Sequence, residues 1–125
     1  MIAVIFEVQP AGPAERESYL AMASALRAEL EQVDGFVSIE RFESLSRPGR
    51  MLSLSIFEDE AAVARWRNAA EHRTAQSAGR AGLFSAYRLR VAQIVRDYGP
   101  LERAQAPDDS RRAHSARTEA GPRGR

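Results

Sequence analysis

The sequence predicts an α+β domain with elements in the order β-α-β-β-α-β, and three observations carry that reading. Strand-like runs of alternating residues flank two stretches with apolar side chains at helical spacing. Ser46-Arg47-Pro48-Gly49 joins the second and third runs. That link is too short for a parallel crossover, so the two runs must pair as a hairpin. Ile5 and Ile94 lie opposite the main apolar stripes of the first and last runs, so the sheet has two faces to cover. This is the ferredoxin-like pattern: a four-stranded antiparallel sheet with two helices on one face.

Each element has a local reason. Ile2 to Val8 is β-branched and aromatic, with Ile2, Val4, Phe6 and Val8 on one side. Gln9 to Pro13 breaks the strand, and Pro13 suits the first position of a helix. That helix is predicted to run to about Val33, with Tyr19, Met22, Ala23, Leu26, Leu30 and Val33 on its inner side. Gly35 is read as its C-cap glycine. Phe36 to Ser44 is the second strand. Met51 to Phe57 is the third, with Leu52, Leu54 and Ile56 on one side and Met51, Ser53, Ser55 and Phe57 on the other. Asp59 is positioned to cap a helix from Glu60 to about Thr74, whose inner stripe is Ala62, Val63, Trp66, Ala69 and Ala70. Leu83 to Val95 is the last strand, with Tyr87, Leu89, Val91 and Val95 on one side.

Composition divides the chain into a domain over residues 1–98 and a tail over 99–125. After Leu101 no Leu, Ile, Val, Met or aromatic residue remains, so the tail cannot offset its ordering entropy by burial and is expected to be disordered. It carries six Arg against four acids, a small positive excess typical of a solvated end. The whole chain has a formal charge of +1, which gives no electrostatic case for nucleic acid or an anionic membrane. All 18 basic residues are Arg, which excludes a lysine Schiff base. With no Cys, there is no disulfide, thiolate nucleophile or thiolate-bound metal. The apolar start, Ile2 to Phe6, is too short for a signal core or a membrane span, so a cytoplasmic protein is expected.

The densest chemistry lies between Trp66 and Arg88. Trp66-Arg67-Asn68-Ala69-Ala70-Glu71-His72 is followed by Gly79-Arg80 and then Phe84-Ser85-Ala86-Tyr87-Arg88. The order of Trp, Glu-His, Gly-Arg and an aromatic-led last strand resembles the antibiotic biosynthesis monooxygenase family of small dimeric α+β barrels, over roughly residues 1 to 98. The resemblance implies a homodimer closed sheet to sheet, a pocket between sheet and helices, and a helix-two Trp lining it. Its members include cofactor-independent oxygenases, haem-degrading enzymes and proteins with no known substrate.

The residues themselves offer both bland and functional roles. Trp66 is either core or the wall of a flat aromatic pocket, its indole N–H available to a ligand oxygen. Asn68 points away from Trp66 on a helix and is either a surface residue or, by the resemblance, a substrate contact. An unperturbed imidazole titrates near pH 6.5, so His72 is the best general base available, or else a helix-end residue favoured by the dipole. Arg80, in the loop before the last strand, can bind a carboxylate, phenolate or enolate. Phe57 and Tyr87 complete the candidate substrate-binding set. Arg88 and Arg90 face away from Tyr87 and are solvated or pair with a strand acid such as Glu40. His72 is also the one credible haem ligand, but haem-degrading relatives use a strand Asn and the single Asn here is Asn68. Two metal ligands at i, i+4 are absent around Glu71, so no metal is expected. The expected function is therefore oxygenation of a small aromatic or polyketide-type molecule without a cofactor. A non-enzymatic ligand-binding or stress-related module is the alternative, and haem binding a third.

Overall fold

A computed structural model of the chain describes residues 1–69 and 82–119, which fall into two units, Met1–Gln93 and Ile94–Arg125. In the first unit the elements are β1 (Ile2–Pro10), α1 (Pro13–Glu31), β2 (Phe36–Glu43), β3 (Met51–Phe57), α2 (Glu60–Arg67) and β4 (Phe84–Gln93). The strands form one antiparallel sheet in the order β2-β3-β1-β4. This is the ferredoxin-like arrangement that the order of elements predicts.

The boundaries follow local chemistry. Pro13 opens α1 with its missing N–H where no intrahelical bond is needed. α1 stops at Glu31, two residues before the expected Val33, and its C-cap is Gln32 rather than Gly35. Gly35 instead takes φ +91° in the turn into β2, where its carbonyl accepts from Glu58 N at 2.8 Å. The β2–β3 hairpin closes through Arg50 N to Arg47 O at 3.1 Å, with Gly49 at φ +83° after Pro48, the residue order of a type II turn. Asp59 caps α2 as expected, its carboxylate accepting from Ala62 N at 2.8 Å. That helix ends at Arg67, with Asn68 as its C-cap, and the far end of the predicted span, at Thr74, lies outside the described residues. β4 is likewise shorter than its prediction at both ends.

Register decides which side chains share a face. Ile2, Val4, Phe6 and Val8 of β1 lie opposite Phe57, Ser55, Ser53 and Met51 of β3. On the other side of β1, Val4, Phe6 and Val8 lie opposite Val91, Leu89 and Tyr87 of β4. A register shift between Phe36 and Ser38 brings Ile39 onto the same face as Phe36. This face carries both cores. One contains Ile2, Leu30, Phe57, Ala62 and Val63, with Val4, Phe36, Ile39 and Trp66 packed against it. The other contains Val8, Tyr19 and Met51, with Phe6, Leu20, Met22, Leu83 and Phe84. Residues of α1 and α2 in these clusters identify the face as the helix-facing one.

The opposite face carries Ile5, Leu52, Leu54, Ile56 and Phe42, all half-buried or exposed. Arg90 pairs there with Glu7 at 3.1 Å, so the strand acid it finds is Glu7 on β1 rather than Glu40.

The second unit has a structure of its own. Composition predicts a disordered tail, yet α3 (Asp108–Glu119) lies within it. Its reason is polar rather than apolar. Arg103 donates to Ser110 O at 3.0 Å and to Ser110 Oγ at 2.8 Å, and its guanidinium lies 5.2 Å from the Tyr98 ring centroid. Arg111 donates to the carbonyls of Ala104 and Ala106. Asp108 and Asp109 sit in the first turn, where the dipole favours them.

Candidate functional site

The helix-facing side of β3 reads Met51, Ser53, Ser55, Phe57, and its two ends belong to different apolar clusters. The middle of the strand is therefore polar where an apolar residue would be ordinary. Ser53 is 8% exposed and Ser55 is 7% exposed. Ser55 Oγ donates to Val4 O at 3.5 Å, a long contact.

Pairing extends each serine into a row across the sheet. Arg41, Ser53, Phe6 and Leu89 form one row, and Ile39, Ser55, Val4 and Val91 form the next. Directly opposed residues have their Cβ atoms about 4.5–5.5 Å apart, so Arg41 and Ser53 are immediate neighbours. Among the described residues the Nε of Arg41, like those of Arg50 and Arg103, is buried without a hydrogen-bond partner. A guanidinium donor and two buried hydroxyls thus share the strip between the clusters.

Aromatic rings flank that strip. Phe6 lies 6.4 Å from Tyr19, 5.7 Å from Phe84 and 5.9 Å from Tyr87, measured between ring centroids. On the other side, Trp66 is half-buried and packs against the Phe57 cluster, as do Val4 and Ile39, the two neighbours of Ser55 in its row. Arg65 holds α2 in place by donating from Nη2 to Asp34 O at 2.9 Å.

The structure brings together some of the residues expected from sequence. Trp66 and Phe57 belong to one cluster. Phe57 is completely buried and meets Phe36 edge-to-face at 5.9 Å, so its role is to hold the cluster together. Tyr87 is 61% exposed on the aromatic side, 6.2 Å from Phe84. Asn68 stands apart at the end of α2, its side chain donating to Ala64 O at 2.8 Å. His72 and Arg80 lie outside the described residues. Arg41, Ser53 and Ser55 were not among the sequence candidates. The signal available was the pair of serines at alternate positions of an otherwise apolar strand side.

Among the described residues, no group of three or more His, Cys, Asp or Glu side chains could hold a metal ion, and no helix is long and apolar enough to cross a membrane. A shallow groove on the hairpin side of the sheet, lined by Glu7, Phe42, Glu43, Arg47, Arg50 and Leu52 among others, encloses about 490 Å³.

A four-stranded antiparallel sheet with two helices packed on one face defines a small ferredoxin-like α+β protein. The chain belongs to the antibiotic biosynthesis monooxygenase family, whose sequence pattern matches residues 1–78. It is 49% identical over 95 residues to the jasmonate monooxygenase ABM of Pyricularia oryzae (strain 70-15), covering 76% of this chain and 44% of that protein. The chain thus spans less than half the length of this relative. Among solved structures, SnoaB, a cofactor-independent oxygenase from Streptomyces nogalater, superposes with a TM-score of 0.63 at 18% identity, over 77% of this chain and 94% of that one. A conserved protein from Methanosarcina mazei Go1 gives a TM-score of 0.66 at 14% identity, over 74% and 90%. At these identities the two structural likenesses are of fold alone.

Proposed function

We propose that the chain is a monooxygenase that oxidises a small, flat, oxygen-bearing molecule without a bound metal or flavin. It works in the cytoplasm as a homodimer. The observation that carries this reading is that Trp66 packs against the same buried cluster as Val4 and Ile39, the residues on either side of the buried Ser55. An indole beside a polar strip is suited to a planar substrate with an oxygen at one end. Family membership favours oxygenation over other uses of the same fold, and the name of the jasmonate monooxygenase relative makes jasmonate a substrate to try.

The chemistry needs only a base, a substrate and O₂. A group such as His72 takes a proton from an activated C–H or a phenol, leaving an electron-rich anion. The anion passes electrons to O₂ and bonds to it, giving a peroxide that takes up a proton. Loss of water then leaves a new carbonyl, so one oxygen atom enters the product and the other leaves as water. The protein's part is to orient the substrate, stabilise the anion with N–H donors and keep water out. Arg80, Asn68 and Tyr87 are assigned to substrate contact.

The dimer follows from the second sheet face. Ile5, Leu52, Leu54 and Ile56 form an apolar band, and the described helix residues that pack on the sheet lie in the clusters of the other face. A second copy, sheet against sheet, is the cover with matching chemistry.

Oxygen uptake by the purified chain tests the reading, with anthrone, a hydroquinone and jasmonate as separate substrates. Uptake above the spontaneous rate with any of them supports it. Saturable binding with no uptake assigns the chain to the non-enzymatic ligand-binding class. A haemin Soret shift that disappears in His72→Ala assigns it to haem.

A further inference from the structure

The helix-facing strip holds three donor groups and no acidic side chain between its two apolar clusters. Arg41 supplies a permanent positive charge and an Nε that is buried without a partner. Ser53 lies directly opposite Arg41, and Ser55 is one pleat further along on the same side. Both serines are more than nine-tenths buried. Ser53 makes no hydrogen bond among the described residues, and Ser55 makes only the long one to Val4. Apolar side chains at these two positions would continue the core from Met51 to Phe57 without interruption.

A buried donor without an acceptor is costly to keep, and Arg41 Nε is such a donor, with Ser53 directly opposite Arg41 in the next strand. Nearby charged residues of the same face do not fill it. Glu43, the next helix-facing residue of β2, is taken by Arg16 of α1. The complement of a guanidinium flanked by hydroxyls is an anionic oxygen group, and a planar carboxylate matches the fork of Arg best.

We propose that Arg41, with Ser53 and Ser55, binds a carboxylate of the substrate and so sets specificity for acids. This rests on the reading above that the helix-facing side is the substrate side. The acid end of the substrate would lie against β2 and β3, with its cyclic body directed toward Trp66 or the Phe6–Phe84 rings. These residues position the substrate, and no covalent step is assigned to them.

The test is calorimetric titration of the full chain with jasmonate and with its methyl ester, which differ only in the acid group. The wild type is expected to bind the acid at least about tenfold more tightly than the ester, the effect of a charge-assisted hydrogen bond. Arg41→Gln should remove that preference by weakening the acid and leaving the ester within about twofold. Arg41→Lys should restore part of it, and Ser53→Ala should lower acid affinity several-fold. Melting temperatures of each variant identify any that fail to fold, in which case Arg41→Lys and Ser53→Ala decide. Equal affinity for acid and ester, no binding of the acid, or an unchanged ratio in the folded Arg41 variants overturns the proposal. Oxygen uptake with anthrone, which has no carboxylate, separates this from the oxygenase reading. Uptake unaffected by Arg41→Gln, with no acid preference, sinks the carboxylate site alone. Acid-selective binding without any uptake sinks the oxygenase alone.

Discussion

Gly35 lies so close to Ala62 that a Cβ added to it would come within 2.6 Å of the Ala62 Cβ. The contact brings the turn before β2 against the first turn of α2. Gly35 also has φ +91°, a conformation that side chains rarely adopt. Gly35→Ala should therefore destabilise the domain by about 3 kcal/mol, combining backbone strain with a clash that neither partner can relieve. Melting should fall by at least about 10 °C. A shift of under about 2 °C would mean that the turn can move away from α2.

Asp59→Ala removes the carboxylate that accepts from Ala62 N at 2.8 Å. The expected cost is about 1 kcal/mol, recovered largely by Asp59→Ser. Chemical denaturation of both variants checks this, and equal loss in the two would point to something other than capping.

His72→Ala should lower turnover roughly a hundredfold if the imidazole is the base, with little change in melting temperature. Trp66→Phe should instead weaken substrate binding and cost of order 1 kcal/mol of stability, because Trp66 packs against the Phe57 cluster. Rate and stability data on the same pair of variants separate the two roles. An unchanged rate in His72→Ala would remove it from the mechanism.

Light scattering should report about twice the chain mass of 13.8 kDa if a second copy covers Ile5, Leu52, Leu54 and Ile56. Leu54→Arg, placed in the middle of that band, should shift the protein to monomer. A wild type that is monomeric at micromolar concentration would end the sheet-to-sheet proposal.

Arg103→Ala should expose the second unit. It removes both bonds to Ser110 and the contact with the Tyr98 ring. Trypsin should then cleave at Arg111 and Arg112 markedly faster than in the wild type. Equal and rapid cleavage of both proteins would favour the disordered tail that composition predicts.

Much of the first unit was legible because its signals are local. Alternation located the strands, Pro13 and Asp59 marked helix starts, and Pro48-Gly49 marked the hairpin. What escaped depends on pairing. The register shift near Val37 that brings Phe36 and Ile39 to one side cannot be seen in a single strand. Nor can the opposition of Arg41 and Ser53, since an exposed-looking Arg in β2 gains meaning only from its neighbour in β3. Gly35 looked like a helix cap because glycine after a helix usually is one, whereas here it answers to the approach of Ala62. The second helix looked longer because Ala69 and Ala70 extend its apolar spacing, and Asn68 ends it by turning its amide back to Ala64. In the tail, hydropathy was silent about hydrogen bonds made by Arg103 and Arg111.

β1 is hydrogen-bonded on both edges, to β3 and to β4. During translation it emerges first and its neighbour β4 last of the four strands. A growing chain can therefore assemble β1, β2 and β3 while one edge of β1 stays open, with Phe6 and Val8 beside it. That edge accepts any strand with the pattern of Phe84–Gln93, including the β4 of another chain on the same message. Polysomes making this protein are thus a setting for strand exchange between siblings, and a product cut short before Phe84 would keep that edge of β1 unpaired for as long as it survives.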